Sequence, residues 1–273
     1  MNKIKIIKYT GLSFVGLFLI LLISFVALAL MKEKDPKSPY NYESFKSVSF
    51  PFDIVQTGKP GSQLSDETIF NLKGEKVKLS SLLNNPLVIE FGSNTCPVYE
   101  SNGPSMDDLF LKYKDKVNII VLYVREAHPG SKSPAIKTFQ QKLNRSNELQ
   151  KKLKRPVYVD SLYGTIHNKL SNFPNSVFLL DTDGTIVHRA LWNKPKKLNN
   201  SIEKLLKSKA KLMESSFSDD LCVPPAHLSK SDFLTYMFNI SKLSGWDATS
   251  DFLINGIFSN KEKLSLENCD LAN

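Results

Sequence analysis

Cys96 stands where a short apolar run, Leu87–Phe91, passes through Gly92–Thr95 into Pro97 and a helical stretch. A cysteine at a helix N-terminus meets unpaired N–H groups and the positive end of the helix dipole, which favour the thiolate and lower the thiol pKa. The position therefore reads as a reactive thiol rather than an inert core cysteine. Tyr99 occupies the place of a second cysteine in a CxxC pair, so a self-contained dithiol cycle at this motif is excluded. The other cysteines, Cys222 and Cys269, lie far downstream. They are able to close a disulfide loop of about 48 residues, worth ~3–4 kcal/mol in the chain-entropy model. Alternatively, one of them resolves Cys96. Three cysteines exclude a disulfide scaffold and a zinc site of paired CxxC type.

The elements that must hold Cys96 follow from the hydrophobic pattern. Leu87–Phe91 and Val117–Val124 are continuous apolar runs of the length of buried strands. Pro97–Tyr113 reads as a helix with proline in its first turn, and Ser133–Lys154 as a Lys/Gln-rich helix. Val157–Val159 is a third strand. Val177–Leu180 and Thr185–His188 flank Asp181–Gly184 as a hairpin, and Asn199–Met213 is a closing helix. Upstream, Ile69–Leu72 and Val77–Leu79 read as a short hairpin around Gly74, followed by a capped turn at Ser80–Leu83. Strands alternating with helices predict an α/β fold, a mixed sheet with helices on both faces. Such sheets carry their chemistry at the carboxyl ends of their strands, where the loop to Cys96 emerges.

The 273 residues carry Lys+Arg 36 against Asp+Glu 27, a net charge of +9. The excess is spread along Lys-rich stretches and reads as a solvated basic surface, not a nucleic-acid stripe. Gly11–Met31 holds no charged residue. At 1.5 Å per residue it covers roughly 30 Å, enough to cross a bilayer. Lys3, Lys5 and Lys8 precede it without an acid among them, placing the N-terminus in the cytoplasm and the rest outside. The competing reading is a signal peptide cleaved near Ala27–Ala29, leaving a secreted protein. Residues 1–35 are thus expected as a membrane anchor and 36–59 as a tether with aromatic islands at Tyr40, Tyr42, Phe45, Phe50 and Phe52. Phe233, Tyr236, Met237 and Ile240 recur at helical spacing, and Trp246, Phe252, Leu253, Ile257 and Phe258 continue an apolar face. Residues 211–273 read as a helical C-terminal extension packed on the domain. His227 has no partner pattern and reads as structural.

Two blocks, PLVIEFGSNTCP at 86–97 and VLYVREAHP at 121–129, resemble the iodothyronine deiodinase family. The resemblance covers roughly residues 60–205 and implies a thioredoxin-like fold over 60–210. It places Cys96 where the family carries selenocysteine or cysteine, as the redox nucleophile. It implies that Glu126 and His128 bind substrate and relay a proton, that Ser93 and Thr95 support the active centre, and that Pro174 is a cis-proline facing Cys96. Reductive removal of iodine from an aromatic carbon needs a thiolate to take the halogen and an acid to protonate the carbon, and a histidine held by a carboxylate suits the second task. The family's second cysteine is replaced by Asn94 and its arginine after the proline by Ser176, and residues 133–156 hold no histidine. These departures remove parts of a thyroid-hormone grip.

The expected activity is thiol-dependent reduction of an aryl halide by a membrane-tethered oxidoreductase. A one-cysteine thiol peroxidase or disulfide reductase, and a non-catalytic redoxin-like scaffold, are the alternatives. No metal or organic cofactor is implied. The partners are a small-molecule substrate, an external thiol as electron donor, the membrane, and, by family analogy, a second copy of the chain.

Overall fold

The computed structural model describes residues 40–44, 58–171, 173–207, 218–220 and 230–250. The apolar run 11–31, most of the tether, His227, Cys222, Cys269 and the apolar positions after 250 lie outside the described residues. Among the described residues, no helix is long and apolar enough to cross a membrane.

The strands are β1 (Thr68–Phe70), β2 (Lys76–Lys78), β3 (Leu87–Gly92), β4 (Asn118–Tyr123), β5 (Val157–Val159), β6 (Val177–Leu180), β7 (Ile186–Ala190) and β8 (Ser218–Asp220). The helices are α1 (Pro97–Tyr113), α2 (Phe139–Gln150), α3 (Thr165–Leu170), α4 (Pro195–Lys207) and α5 (Lys230–Ser244). They build one mixed sheet in the order β2-β1-β5-β4-β3-β6-β7-β8. Strand β3 lies at its centre, parallel to β4 and antiparallel to β6. This is the thioredoxin-like α/β arrangement that the alternating pattern predicts, with two additions. Helix α3 and strand β8 carry too few apolar residues to register as elements in the sequence.

The central strand alternates faces as the pleat requires. Leu87, Ile89 and Phe91 enter a cluster with Ile166, Leu170 and Phe178 on one side. Val88 enters another with Met106, Leu109, Leu198 and Ile202, so α1 and α4 cover the opposite side. Glu90 shares that second side and is fully buried. Its Oε2 accepts from Arg155 at 2.8 Å, and its Oε1 accepts from Asn193 at 2.9 Å. The same guanidinium reaches Asp107 at 2.6 Å and the Gly103 carbonyl at 3.0 Å. A charge inside an apolar core survives only with such pairing.

Helix α2 is shorter than the Ser133–Lys154 expectation. Thr138 forms a capping box with Gln141, which fixes the helix start beyond the turn at 130–133.

Candidate functional site

Cys96 is the N-cap residue of α1, with Pro97 following at the first helical position. The loop between β3 and α1 is built by two hydroxyls. Ser93 Oγ accepts from the Ala127 backbone N–H at 2.9 Å, and Thr95 Oγ1 accepts from the His128 N–H at 3.0 Å. The two oxygens lie 3.3 Å apart. Ser93 and Thr95 therefore stitch the loop after β3 to the loop after β4, bringing Cys96 beside the Glu126–His128 segment. Cys96 shares an apolar cluster with Tyr99, Val121, Tyr123 and Ala127.

The electrostatics differ from the expectation of a low-pKa thiol. Cys96 is 2% exposed. Burial pushes its thiol up to about 11, outweighing the Tyr99 and Val98 backbone N–H groups that favour the thiolate. The helix N-terminus is present, but withdrawal from water dominates it. His128, 4% exposed, is pushed by burial down to about 3. It is thus a neutral imidazole at rest, not the cationic acid the sequence suggests.

Nor does Glu126 hold His128 as a carboxylate partner through its bonded oxygen. Glu126 Oε1 accepts from Tyr123 Oη at 2.6 Å and Arg145 Nη1 at 2.7 Å. Its Oε2 is buried with no hydrogen-bond partner among the described residues. The His128 Nε2 instead lies 3.1 Å from the Tyr236 hydroxyl of α5, with the rings edge to face. Tyr42, from the segment before the domain, donates to the Ala127 carbonyl at 2.7 Å. Adjacent residues of one loop are thereby gripped from both chain extensions.

The Phe173–Pro174 bond is trans, correcting the cis expectation. Residues 173–176 form a turn, with the Ser176 N–H to the Phe173 carbonyl at 3.4 Å. The Ser176 carbonyl accepts from the Phe91 N–H at 2.9 Å, which keeps this turn against the end of β3. Ser176 Oγ is turned to Ser171 and the Leu191 carbonyl, in the core.

Sequence reasoning missed Tyr236, Tyr42 and Arg145. Tyr236 registers only as one apolar position on a helical face and Tyr42 as one island in a tether. Arg145 is one cation on a Lys/Gln-rich helix, and nothing in its local pattern indicates that α2 aims it at Glu126. Among the described residues, no group of three His, Cys, Asp or Glu side chains converges on a metal-sized site.

The family model described as iodothyronine deiodinase matches residues 14–178. A type II iodothyronine deiodinase of Neoceratodus forsteri is 38% identical over 69 residues, 24% of this chain and 26% of that protein. The chain thus spans about a quarter of that relative's length. The thiol-disulfide oxidoreductase ResA of Bacillus cereus (strain ZK / E33L) is 29% identical over 140 residues, 50% of this chain and 72% of the relative. The exposed lipoprotein thioredoxin of Streptococcus pneumoniae strain TIGR4 superposes with a TM-score of 0.41 at 16% identity, covering 51% of this chain and 99% of that one.

Proposed function

The chain belongs to the iodothyronine deiodinase family, and from that premise we propose that it is a membrane-tethered, thiol-dependent reductase whose Cys96 removes halogen from an aromatic substrate. The observation that carries this reading is the pair of hydrogen bonds from Ala127 and His128 to Ser93 and Thr95, which joins the two family blocks into one site.

The steps balance as follows. Cys96 loses its proton to His128, a neutral base at rest. The thiolate attacks iodine, breaking the carbon–iodine bond and forming a sulfenyl iodide while the electron pair stays on carbon. The His128 N–H then protonates that carbon. An external thiol displaces iodide to give a mixed disulfide, and a second thiol frees Cys96 as the external disulfide leaves. The aryl halide gains two electrons and two thiols lose them. Glu126 Oε2 is the acceptor that a substrate hydroxyl would meet. A resting thiol near 11 demands that the site open to water or substrate before this chemistry starts, because the thiolate is the nucleophile.

The matches to thiol-disulfide oxidoreductases favour a second reading, disulfide exchange at Cys96 with an external thiol in place of the missing CxxC partner. The test is iodide release from an iodinated phenol by the full-length chain with excess dithiothreitol, beside Cys96→Ser. Release that vanishes in the variant supports dehalogenation. No release, with turnover of a model disulfide that still requires Cys96, supports the second reading. Inertness to both leaves a binding scaffold.

The family match begins at residue 14, within the uncharged run, which supports that run as the anchor.

A further inference from the structure

Helix α5 is held to the domain by one side only. Met237 and Ile240 are buried, and Tyr236 meets His128. Its C-terminal end is latched to the loop after β4. The Ser131 N–H and Oγ donate to Asp247 at 2.8 and 2.7 Å, and the Lys132 N–H donates to the Ser244 carbonyl at 3.0 Å. Gly130 is packed so close that a Cβ there would sit 2.4 Å from the Ser244 carbonyl oxygen. Gly245, at φ +104°, ends the helix.

The other side is apolar and uncovered. Leu234 is 64% exposed, Phe238 67% and Trp246 69%. Leu234 and Phe238 are one helical turn apart and share a face, with Lys242 a further turn on and exposed. A folded surface that shows a Leu, a Phe and a Trp this fully within thirteen residues is built to be covered.

The covering surface follows from where the chain enters the domain. The uncharged run ends at Met31 and the first described residue is Tyr40. Nine residues reach at most roughly 30 Å when fully extended. The arriving segment docks by the Tyr42 hydroxyl on the Ala127 carbonyl, next to His128, the residue that Tyr236 of α5 contacts. The exposed face of α5 is therefore on the element gripped beside the tether's entry. A second copy of the chain is a poor occupant. Three such side chains supply about 400 Å², half of the ~800 Å² per partner that a stable dimer buries. A helix with Trp, Phe and Leu outward, beside lysine, on a chain of net charge +9, suits the headgroup–acyl boundary of an anionic bilayer.

We propose that α5 is an interfacial helix, lying on the bilayer that holds residues 11–31 and inserting Leu234, Phe238 and Trp246 into it. The proposal rests on the reading of that run as an anchor.

The test uses the full-length chain carrying Trp192→Phe, which leaves Trp246 as the single tryptophan, reconstituted in vesicles of phosphatidylcholine and phosphatidylglycerol. Lipids brominated at a shallow or a deep acyl position are the quenchers, and carbonate extraction reports anchoring. The expected result is a carbonate-resistant chain whose Trp246 emission falls by more than half, more with the shallow label than the deep one. Adding Leu234→Ser and Phe238→Ser, both at exposed positions, should at least halve that quenching. A resistant chain with unquenched Trp246 overturns the interfacial helix and leaves the anchor standing. If a cysteine placed at Phe238 then cross-links to another copy, a protein covers this face instead. A chain released by carbonate overturns both readings.

Discussion

His128 and His188 should make the fold sensitive to mild acid. Both are buried, and burial pushes His128 down to about 3 and His188 to about 4 from 6.5. The unfolded chain therefore binds protons that the folded chain refuses, and stability falls as pH drops below 6.5. Each group costs about 2 kcal/mol at pH 5, about 4 kcal/mol for the pair, against a total stability of ~5–15 kcal/mol. His167, also buried and pushed well down by desolvation, adds in the same direction. Glu90 and Asp160 pull the other way, because burial raises their carboxyls and the folded chain accepts their protons more readily. A variant comparison cancels these opposing groups. His188→Asn keeps an amide to meet the Ser201 hydroxyl, which lies 3.1 Å from His188 Nδ1. Urea unfolding at pH 7.5 and pH 5, followed by circular dichroism, should show the natural chain losing about 2 kcal/mol more than the variant over that interval. Equal losses would refute the claim that burial holds His188 neutral. The matching test for the candidate site is the His128 ring, whose proton resonances should not titrate between pH 8 and 5.

Further expectations concern the other buried charges and the covered thiol. Lys142, fully buried with its Nζ donating to the Ser161 carbonyl at 2.5 Å, is pushed down to about 7, so the unfolded chain binds its proton more tightly above that pH. Stability should rise by about 2 kcal/mol from pH 7 to pH 9, and the rise should vanish in Lys142→Met under the same urea titration. Arg155→Met strands Glu90 and should cost ~3–5 kcal/mol, with Glu90→Gln on the same chain recovering part of it. Mass-spectrometric mapping of iodoacetamide labelling should find Cys96 slow at neutral pH, with a rate still climbing above pH 9. Gly130→Val pushes against Ser244 and should loosen α5. A thiol returned from about 11 toward its ordinary 9 would then label up to about 100-fold faster, and an unchanged rate would show that α5 does not cover it.

The core of the sheet was legible because its strands are short continuous apolar runs: Val157–Val159 and Val177–Leu180 coincide with β5 and β6. Helix α1 was legible from Pro97. The start of α2 was not, because the Lys and Gln pattern runs smoothly through Ser133–Thr138 while the deciding signal is one capping box. Strand β8 is Ser-Asp-Asp, polar in every position. It is held by pairing with β7 and by Arg189, which reaches Asp219 at 2.6 and 2.8 Å. At the candidate site, the nucleophile and the two blocks around it were visible as sequence, but their charge states were not. Helix position predicts a thiolate and an imidazolium. What overrides it is burial, supplied from outside the blocks by Tyr42 and Tyr236, whose spacing from Cys96 in the chain carries no signal.

The Glu90–Arg155 pair also orders the folding of the chain in time. Glu90 is made 65 residues before the guanidinium that neutralises it. During synthesis from the N-terminus, β3 and β4 are complete while Arg155 is still missing. Closing α1 over β3 at that stage would bury a carboxylate without a counterion, so the α1-side face stays wet. The completed Arg155, which touches β3 through Glu90 and α1 through Asp107 and Gly103, releases that block for both elements at once. A chain truncated before residue 155 should therefore remain an open, solvent-swollen intermediate, and the sheet that positions Cys96 becomes a late product of assembly rather than its nucleus.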